Sequence, residues 1–181
     1  MKLIVLDRDG VINKDSDAFI KSPEEWQLLP GSAEAIARLN HARYQVVVAT
    51  NQSGVARSYF DLGVLNRIHE KMQREVGKAG GRIEAIFFCP HGPDDGCECR
   101  KPKAGLFLEI EKRLQMKLNG VPAVGDSLRD LQAAQAVGAR AILVRSGKGL
   151  ATETQLAQAG LAEPVDVFDD LASVVDAVLS E

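Results

Sequence analysis

The 181-residue sequence has no long apolar run. Crossing a bilayer takes roughly 18 consecutive apolar residues, and no segment approaches that length. The apolar run at residues 3–6 is also too short for the core of a secretory signal peptide. These absences argue against a membrane-spanning protein, and we expect a cytoplasmic protein with no membrane partner.

Positive charge is not in excess either. The chain carries 22 Lys and Arg residues against 25 Asp and Glu residues, which gives a net charge of −3. Domains that bind nucleic acid usually carry a basic patch or stripe, so we expect no nucleic-acid partner. Hydrophobic residues make up 45% of the chain and charged residues 26%, which excludes a disordered or low-complexity protein.

Cysteine is scarce, and the three cysteines are clustered. Cys89, Cys97 and Cys99 lie within eleven residues of one another, an odd and crowded set that makes a poor disulfide framework. With His91 they form the pattern Cys-x-His-x5-Cys-x-Cys, a complete Cys₃His set for tetrahedral Zn²⁺. Four protein ligands leave no open position, so we predict a structural zinc loop at residues 89–99. The alternative is a buried Cys89 with two incidental surface thiols.

Short apolar runs alternate with helical periodicity along the whole chain. Runs that are apolar throughout are typical of strands covered on both faces, as in parallel sheets. We therefore predict an α/β fold with a doubly wound, mostly parallel, Rossmann-like sheet, formed by one domain over residues 1–181. The gaps after the first and third strands are too short for an inserted cap domain. The six predicted strands are residues 3–6, 46–49, 85–88, 121–124, 141–144 and 165–168.

Polar residues stand where the predicted strands end. Asp7 and Asp9 follow the first strand and, in extended geometry, project to the same side. Thr50 and Asn51 follow the second strand, and Asp126 follows the fourth. Because ligands bind at the carboxyl ends of such strands, converging carboxylates there predict a Mg²⁺ site. This arrangement favours phosphoryl transfer in which one carboxylate attacks phosphorus and the other handles a proton.

Four ordered motifs resemble those of the haloacid dehalogenase (HAD) superfamily phosphatases. The motifs are Asp7-x-Asp9-Gly10-Val11, Thr50-Asn51, Lys101, and Gly125-Asp126-x-x-x-Asp130. By this resemblance, Asp7 is the nucleophile that forms an aspartyl-phosphate and Asp9 is the acid/base. Asp7, the Asp9 carbonyl and Asp126 bind Mg²⁺, while Thr50 and Lys101 steady the phosphoryl group. Two readings of Asp130 remain open, an outer residue of the metal site or a helix surface residue.

The zinc loop, followed directly by Arg100 and Lys101, resembles a branch of these enzymes that acts on small phosphorylated metabolites. We expect a monomer. Within this branch, the resemblance of the runs at residues 7–13 and 50–57 implies removal of the 7-phosphate from D-glycero-D-manno-heptose 1,7-bisphosphate, for ADP-heptose and lipopolysaccharide core precursors. It also implies that substrate is contacted by Asp15, Ser16, Asp17, Ala18, Thr50, Asn51, Gln52, Ser53, Arg100 and Lys101. The chain departs from the branch at Ala104, where a second proline is common, and in its compact zinc loop.

Other functions and residue assignments compete with this prediction. Histidinol-phosphate phosphatase is the nearest alternative, and a nucleic-acid 3′-phosphatase or a non-enzymatic zinc module would be different classes. Phe19 and Trp26 either flank a sugar or, as we favour, pack the segment onto the sheet. His69 falls in a helical pattern and is expected at the surface. Lys148 either extends a positive rim toward a second phosphate or, as we favour, lies in a solvated loop. Thr152 with Gln155 resembles a helix capping box.

Overall fold

One six-stranded sheet organises the chain, and the computed structural model describes residues 2–181. The strand order is β3-β2-β1-β4-β5-β6, and all five neighbouring pairs are parallel. The strands are β1 (Lys2–Leu6), β2 (Tyr44–Asn51), β3 (Ala85–Cys89), β4 (Pro122–Gly125), β5 (Arg140–Val144) and β6 (Asp166–Phe168). The prediction of a doubly wound parallel sheet is confirmed, and the six predicted strands all form.

Helices cover both faces of the sheet. They are α1 (Ser32–His41), α2 (Leu62–Lys78), α3 (Gly105–Leu114), α4 (Leu128–Gln135), α5 (Gly149–Glu153) and α6 (Leu171–Ser180), with a 3₁₀ turn at Leu156–Gln158. α1, α2 and α6 pack on one core, and α3 and α4 pack on the other. Within residues 2–181, no helix has both the length and the apolar character that a bilayer crossing requires.

The strands are apolar on both sides because both sides are covered. In β1, Ile4 and Leu6 point into the first core, whereas Leu3 and Val5 point into the second. All four are at most 3% exposed. Burial of a full aliphatic side chain contributes about 1.5–3 kcal/mol, so the alternation along one strand ties both helical layers to the sheet.

Strand order reverses between β1 and β4, which are neighbours in the sheet although five elements separate them in sequence. At such a point the loops leave in opposite directions and open a crevice at the carboxyl edge. Asp7 follows β1 and Asp126 follows β4, so the fold brings both carboxylates to this crevice. Between β1 and α1 the chain forms turns and isolated bridges, with Trp26 1% exposed in the first core as the packing hypothesis predicted.

Two local predictions are wrong. Thr152 lies inside α5, and its hydroxyl donates to the Asp126 carbonyl at 2.8 Å instead of capping a helix. A cap of that kind forms at α4, where Asp130 Oδ2 accepts the Ser127 backbone N–H at 3.0 Å. His69 is buried in α2 and only 7% exposed, because the helical stripe that carries it faces the sheet.

Candidate active site

A pocket opens at the carboxyl edge of the sheet, and its walls differ in chemistry. Its floor, so named here, consists of Asp7, Lys101, Asp126 and Asp130, all largely buried. Its rim consists of the basic side chains Arg57, Arg100, Arg129 and Lys148. The pocket therefore has a buried, charged floor and a rim of basic side chains.

Lys101 links the floor carboxylates. Its Nζ lies 3.0 Å from Asp7 Oδ1 and 2.7 Å from Asp130 Oδ1, and it donates to the Ala49 carbonyl at 2.7 Å. Burial alone would favour the neutral amine, but the charges of Asp130 and Asp7 outweigh it and raise the pKa of Lys101. Lys101 is therefore a fixed ammonium beside Asp7. On Asp7, both this contact and the Arg8 backbone N–H fall on Oδ1, and within residues 2–181 no hydrogen bond reaches Oδ2.

Carboxylate oxygens of Asp7, Asp126 and Asp130 all lie within 4.8 Å of one another. Burial, followed by the charge of Asp130, raises the pKa of Asp7 well above its usual range and that of Asp126 to about 7. Asp130 is buried as well, yet Lys101 and the Ser127 hydrogen bonds lower its pKa. Two carboxylates that resist ionisation side by side suit a hard divalent cation, which would neutralise them.

Asp130 is 6% exposed, so the surface interpretation of this residue is wrong. Its two oxygens contact different groups, because Oδ1 faces Lys101 and Oδ2 accepts from Ser127. Gly125 makes room for it, since a Cβ there would lie 2.2 Å from the Asp130 Cβ. The spacing of four from Asp126 to Asp130 thus results from the turn that leads from β4 into α4.

Backbone closes around Asp126. Gly10 and Gly147 both have positive φ, and a Cβ at either position would lie about 2 Å from Asp126 Oδ2 (2.0 Å and 2.2 Å). The Lys148 backbone N–H donates to the same oxygen at 2.8 Å. Only glycine permits this approach, so the residues after β1 and β5 hold the carboxylate in place.

Asp9 is held by several donors on its two oxygens. Asn13 Nδ2 donates to Oδ1 at 2.8 Å, and Gln52 Nε2 donates to Oδ2 at 3.1 Å. The same Gln52 amide donates to Thr50 Oγ1 at 3.0 Å, which connects the end of β2 to the residues after β1. The predicted residues Asp9, Thr50 and Gln52 therefore form one connected group beside the floor.

Asn51 does something other than predicted. Its Oδ1 accepts the Lys101 backbone N–H at 3.0 Å, and its Nδ2 donates to the Lys101 carbonyl at 3.1 Å. Both ends of the amide are thus occupied by the Lys101 backbone, although Asn51 still lines the pocket. Asn51, which was predicted to contact substrate, thus uses its side-chain amide to place Lys101.

The predicted substrate segment lies along one wall. Asp15, Ser16 and Asp17 line the pocket together with Phe19, whereas Ala18 does not. Lys148 reaches this wall from the opposite side, with Nζ 3.5 Å from Asp15 and 3.7 Å from Asp17. Lys148 remains 48% exposed in the turn after β5, as the favoured interpretation expected, and it also lines the pocket, as the alternative of a positive rim expected.

The rim arginines are close enough to repel one another. Burial, then the charge of Arg129, lowers the pKa of Arg100, and Arg57 adds a smaller effect of the same sign. Arg100 Nη1 donates to the His91 carbonyl at 3.4 Å, and within residues 2–181 none of the three arginines has a salt bridge. Sequence reasoning missed Arg57 and Arg129 as pocket residues. The signal for Arg129 is its position in the first turn of the helix that follows Asp126.

The four predicted zinc ligands come together beside the rim. Cys89 Sγ lies 3.6 Å from His91 Nδ1 and 3.7 Å from Cys97 Sγ, and His91 Nδ1 lies 3.2 Å from Cys99 Sγ. Tetrahedral Zn²⁺ with Zn–S bonds of about 2.3 Å separates its ligand atoms by about 3.5–3.8 Å, so the donor set fits a metal ion. Burial and the Cys99 contact raise the pKa of Cys89 to about 12. At Cys97, hydrogen bonds outweigh the effect of burial and lower the pKa to about 7.

Two family profiles match the chain. One is described as "Polynucleotide kinase 3 phosphatase" and matches residues 2–131, and the other, "HAD-hydrolase-like", matches residues 98–174. The first match runs from β1 to the early part of α4 and therefore includes Asp7, Asp9, Lys101 and Asp126. The two profiles together cover nearly the whole sheet.

Relatives with an assigned activity match over the full length. A D-glycero-beta-D-manno-heptose-1,7-bisphosphate 7-phosphatase of Bordetella bronchiseptica is 59% identical over 181 residues, which is all of this chain and 99% of the relative. A protein of the same name from Pseudomonas putida is 52% identical over 96% of this chain and 97% of the relative.

The solved structures agree. The D,D-heptose 1,7-bisphosphate phosphatase of B. bronchiseptica, complexed with magnesium and phosphate, has a TM-score of 0.95 and 58% identity, and the match covers 99% of each chain. The corresponding enzyme of Burkholderia thailandensis has a TM-score of 0.78 and 48% identity over all of both chains. The chain therefore belongs to the HAD-like hydrolases, and within them to the family of D-glycero-β-D-manno-heptose-1,7-bisphosphate 7-phosphatases.

Proposed function

We propose that this protein is a Mg²⁺-dependent phosphatase that removes the 7-phosphate from D-glycero-β-D-manno-heptose 1,7-bisphosphate through an aspartyl-phosphate on Asp7. The observation that carries the proposal is the pocket floor, where the buried Lys101 ammonium joins Asp7 to Asp130 and a carboxylate oxygen of Asp126 lies within 4.8 Å of both. Full-length identity to relatives named for this reaction supports the substrate. The β anomer and the supply of ADP-heptose precursors follow those relatives and belong to the proposal.

In the first step, Asp7 Oδ2 attacks phosphorus while the bond from phosphorus to the sugar oxygen breaks. Oδ2 is suited to attack because the protein contacts of Asp7 fall on Oδ1. Asp9 donates a proton to the departing sugar oxygen, which leaves as an alcohol. Lys101 stays charged and balances the negative charge that develops on the phosphoryl oxygens, and the Thr50 hydroxyl donates to one of them.

In the second step, Asp9 takes a proton from a water molecule that attacks the phosphorus of the aspartyl-phosphate. The bond from phosphorus to Asp7 Oδ2 breaks, inorganic phosphate leaves, and the free carboxylate returns. Asp7, Asp126 and the Asp9 backbone carbonyl would hold Mg²⁺, with Asp130 adjoining. When bound, Mg²⁺ supplies charge neutralisation between the carboxylates and the phosphate.

The rim supports a substrate with a second phosphate. Arg57, Arg100 and Arg129 crowd one side of the pocket and, within residues 2–181, form no salt bridge with a carboxylate. A dianion would relieve their mutual repulsion. Arg100 in the position next to Lys101 is the residue we propose to recognise the 1-phosphate while Lys101 holds the 7-phosphate. The substrate wall at Asp15, Ser16 and Asp17 faces sugar hydroxyls in this arrangement.

We further propose that Cys89, His91, Cys97 and Cys99 bind a structural Zn²⁺. With all four ligands from protein, the ion offers no position to substrate, and its use is to fix residues 100 and 101 that follow the last ligand. The chain would act as a single domain and a monomer. The contacts between the zinc loop and the rim, such as Arg100 to the His91 carbonyl, support this role.

A substrate panel tests the proposed function. We expect kcat/KM for the β-heptose 1,7-bisphosphate to exceed that for histidinol phosphate, fructose 1,6-bisphosphate and a 3′-phosphorylated oligonucleotide by at least about tenfold, which is about 1.4 kcal/mol of transition-state binding. Phosphate release should stop with EDTA and resume with Mg²⁺. If histidinol phosphate or the oligonucleotide is the better substrate, the substrate assignment is wrong. The oligonucleotide is included because of the polynucleotide 3′-phosphatase profile match.

A further inference from the structure

Arg8 is fully buried, although it lies between the two acidic residues of the first motif. Its guanidinium grips the Asp9 carboxylate, with Nε 3.0 Å from Oδ1 and Nη2 3.1 Å from Oδ2. The third nitrogen, Nη1, lies 3.2 Å from His69 Nε2. Nothing in the mechanism above uses Arg8 or His69.

His69 is an acceptor in this contact. A guanidinium can only donate, so His69 Nε2 must carry a lone pair, and the ring is neutral with its proton on Nδ1. Burial, then the charge of Arg8, lowers the pKa of His69 to about 3, which agrees with the geometry. The ring also lies against Phe88, with centroids 6.2 Å apart, so its position on α2 is packed as well as hydrogen-bonded.

A buried guanidinium is costly to a fold. Desolvating it takes several kcal/mol, and well-packed apolar residues in place of a buried ion pair are often as stable or more so. Within residues 2–181, the salt bridge of Arg8 is to Asp9 alone. Burial at 0% exposure together with a forked contact to a single carboxylate indicates that this arrangement serves the orientation of Asp9.

We propose that Arg8, supported by His69, is a positioning residue that holds the Asp9 carboxylate in the orientation from which it exchanges a proton with the leaving oxygen. The inference rests on the proposed function, because it takes Asp9 as the acid/base. Gln52, which lines the pocket, and the buried Asn13 donate to the same carboxylate, while Arg8 holds it from the interior. Loss of Arg8 should therefore impair proton donation more than phosphoryl binding.

The leaving group provides the test. A sugar alkoxide needs a proton as it departs, whereas p-nitrophenolate leaves readily without one. For Arg8→Lys, we expect kcat/KM on heptose 1,7-bisphosphate to fall by about 30-fold or more, within the range of general acid catalysis, and on p-nitrophenyl phosphate by less than about threefold. Arg140→Lys is the control, because Arg140 also donates to a carboxylate, through Nε and Nη2 to Asp166 Oδ2, but at the opposite edge of the sheet. It should change neither value.

His69 supplies a second variant in case Arg8→Lys does not fold. His69→Leu leaves a buried Arg8 donor unpaired and should lower kcat/KM on heptose 1,7-bisphosphate alone, by several-fold. His69→Gln retains an acceptor and should keep kcat/KM near the wild-type value. In an Asp9→Asn background, Arg8→Lys should add no further loss on the heptose substrate, since it acts through Asp9.

Different failures point to different errors. If Asp9→Asn lowers kcat/KM equally on the two substrates, the assigned role of Asp9 in the proposed function is wrong. If Asp9→Asn discriminates between leaving groups but Arg8→Lys and His69→Leu lower both substrates alike, the positioning inference is overturned and Arg8 is merely structural.

Discussion

The floor and the rim of the pocket are built on different principles. Floor side chains are buried and satisfied by one another, as in Lys101, which bridges Asp7 and Asp130 at 3.0 Å and 2.7 Å. The rim side chains are all basic. Within residues 2–181, the three rim arginines form no salt bridge. The floor is therefore pre-organised before substrate arrives, whereas the rim holds unpaired charge that an anion would satisfy.

The floor and the rim therefore have different tasks: the floor acts on the phosphoryl group, and the rim selects the substrate. Any phosphate monoester presents the same phosphoryl group to the floor, so interactions there contribute to every substrate. Rim cations can reach only the rest of the substrate and are free to favour one compound over another. In a pocket without an inserted cap domain, selection has to come from such side chains and from short loops. Variants on the two sides should thus fail in different ways.

The largest effect is expected at the floor. Asp7→Asn should lower kcat by about 10⁴-fold or more on every substrate, because the amide cannot form the phospho-enzyme. Thermal melting should show equal or greater stability, since burial and Asp130 raise the pKa of Asp7 and a neutral side chain removes that penalty. Asp166→Asn, at the far edge of the sheet, is the control. Substantial residual turnover in Asp7→Asn would eliminate the covalent mechanism.

The proposed zinc loop directly precedes Arg100 of the rim and Lys101 of the floor, and its loss should have the second-largest effect. Cys99→Ala removes a ligand and should lower the free energy of unfolding by several kcal/mol, with kcat/KM lower on all substrates because Arg100 and Lys101 lose their anchor. Metal analysis should give one zinc per wild-type chain and less than one in the variant. Active wild-type protein free of zinc would contradict the assignment.

The sequence was sufficient for much of this architecture and for the positions of the carboxylates. Apolar runs predicted all six strands, since strands covered on both sides need no polar alternation. The strand ends placed Asp7 and Asp126, because each directly follows a strand of the sheet. Lys101 lies in the long loop between β3 and α3 and was assigned by the family motif. The cytoplasmic location, the single domain and the monomeric state stay predictions.

Features that depend on side-chain direction were beyond the sequence. His69 was expected at the surface, because a single histidine in a helical pattern does not show which face of the helix it lies on. The packing of α2 buries it. Asn51 has the residue type of a phosphate donor, but the Lys101 backbone lies within reach of both ends of its amide. Arg57 lies in the turns after β2 and Arg129 in the first turn of α4, and their residue type alone did not show that their side chains line the pocket.

At the rim, Arg100→Ala should affect selection. We expect kcat/KM on the heptose bisphosphate to fall by about 50-fold, the scale of a hydrogen-bonded charged contact, with most of the change in KM. On p-nitrophenyl phosphate the fall should stay below about fivefold, since that ester has no second phosphate. Leu108→Ala, a substitution at an exposed position of α3, is the control for surface changes. Equal losses on both esters would assign Arg100 to the floor and remove the distinction drawn here.

The smallest effect is a stability difference between buried and exposed imidazoles. His69 has its pKa lowered to about 3 in the fold against about 6.5 unfolded, so the unfolded chain binds the extra proton as pH falls. The stabilisation is present above pH 6.5 and is lost toward pH 3, by about 2 kcal/mol between pH 7.5 and 5.0. Urea denaturation should show that the free energy of unfolding of His69→Gln falls by about 2 kcal/mol less than that of wild type over this pH interval. His41→Gln, on the exposed face of α1, is the control and should lose as much as wild type. If His69→Gln loses as much stability as wild type, the His69 imidazole takes up a proton in the folded protein. The assignment of a neutral ring that accepts from Arg8 is then wrong.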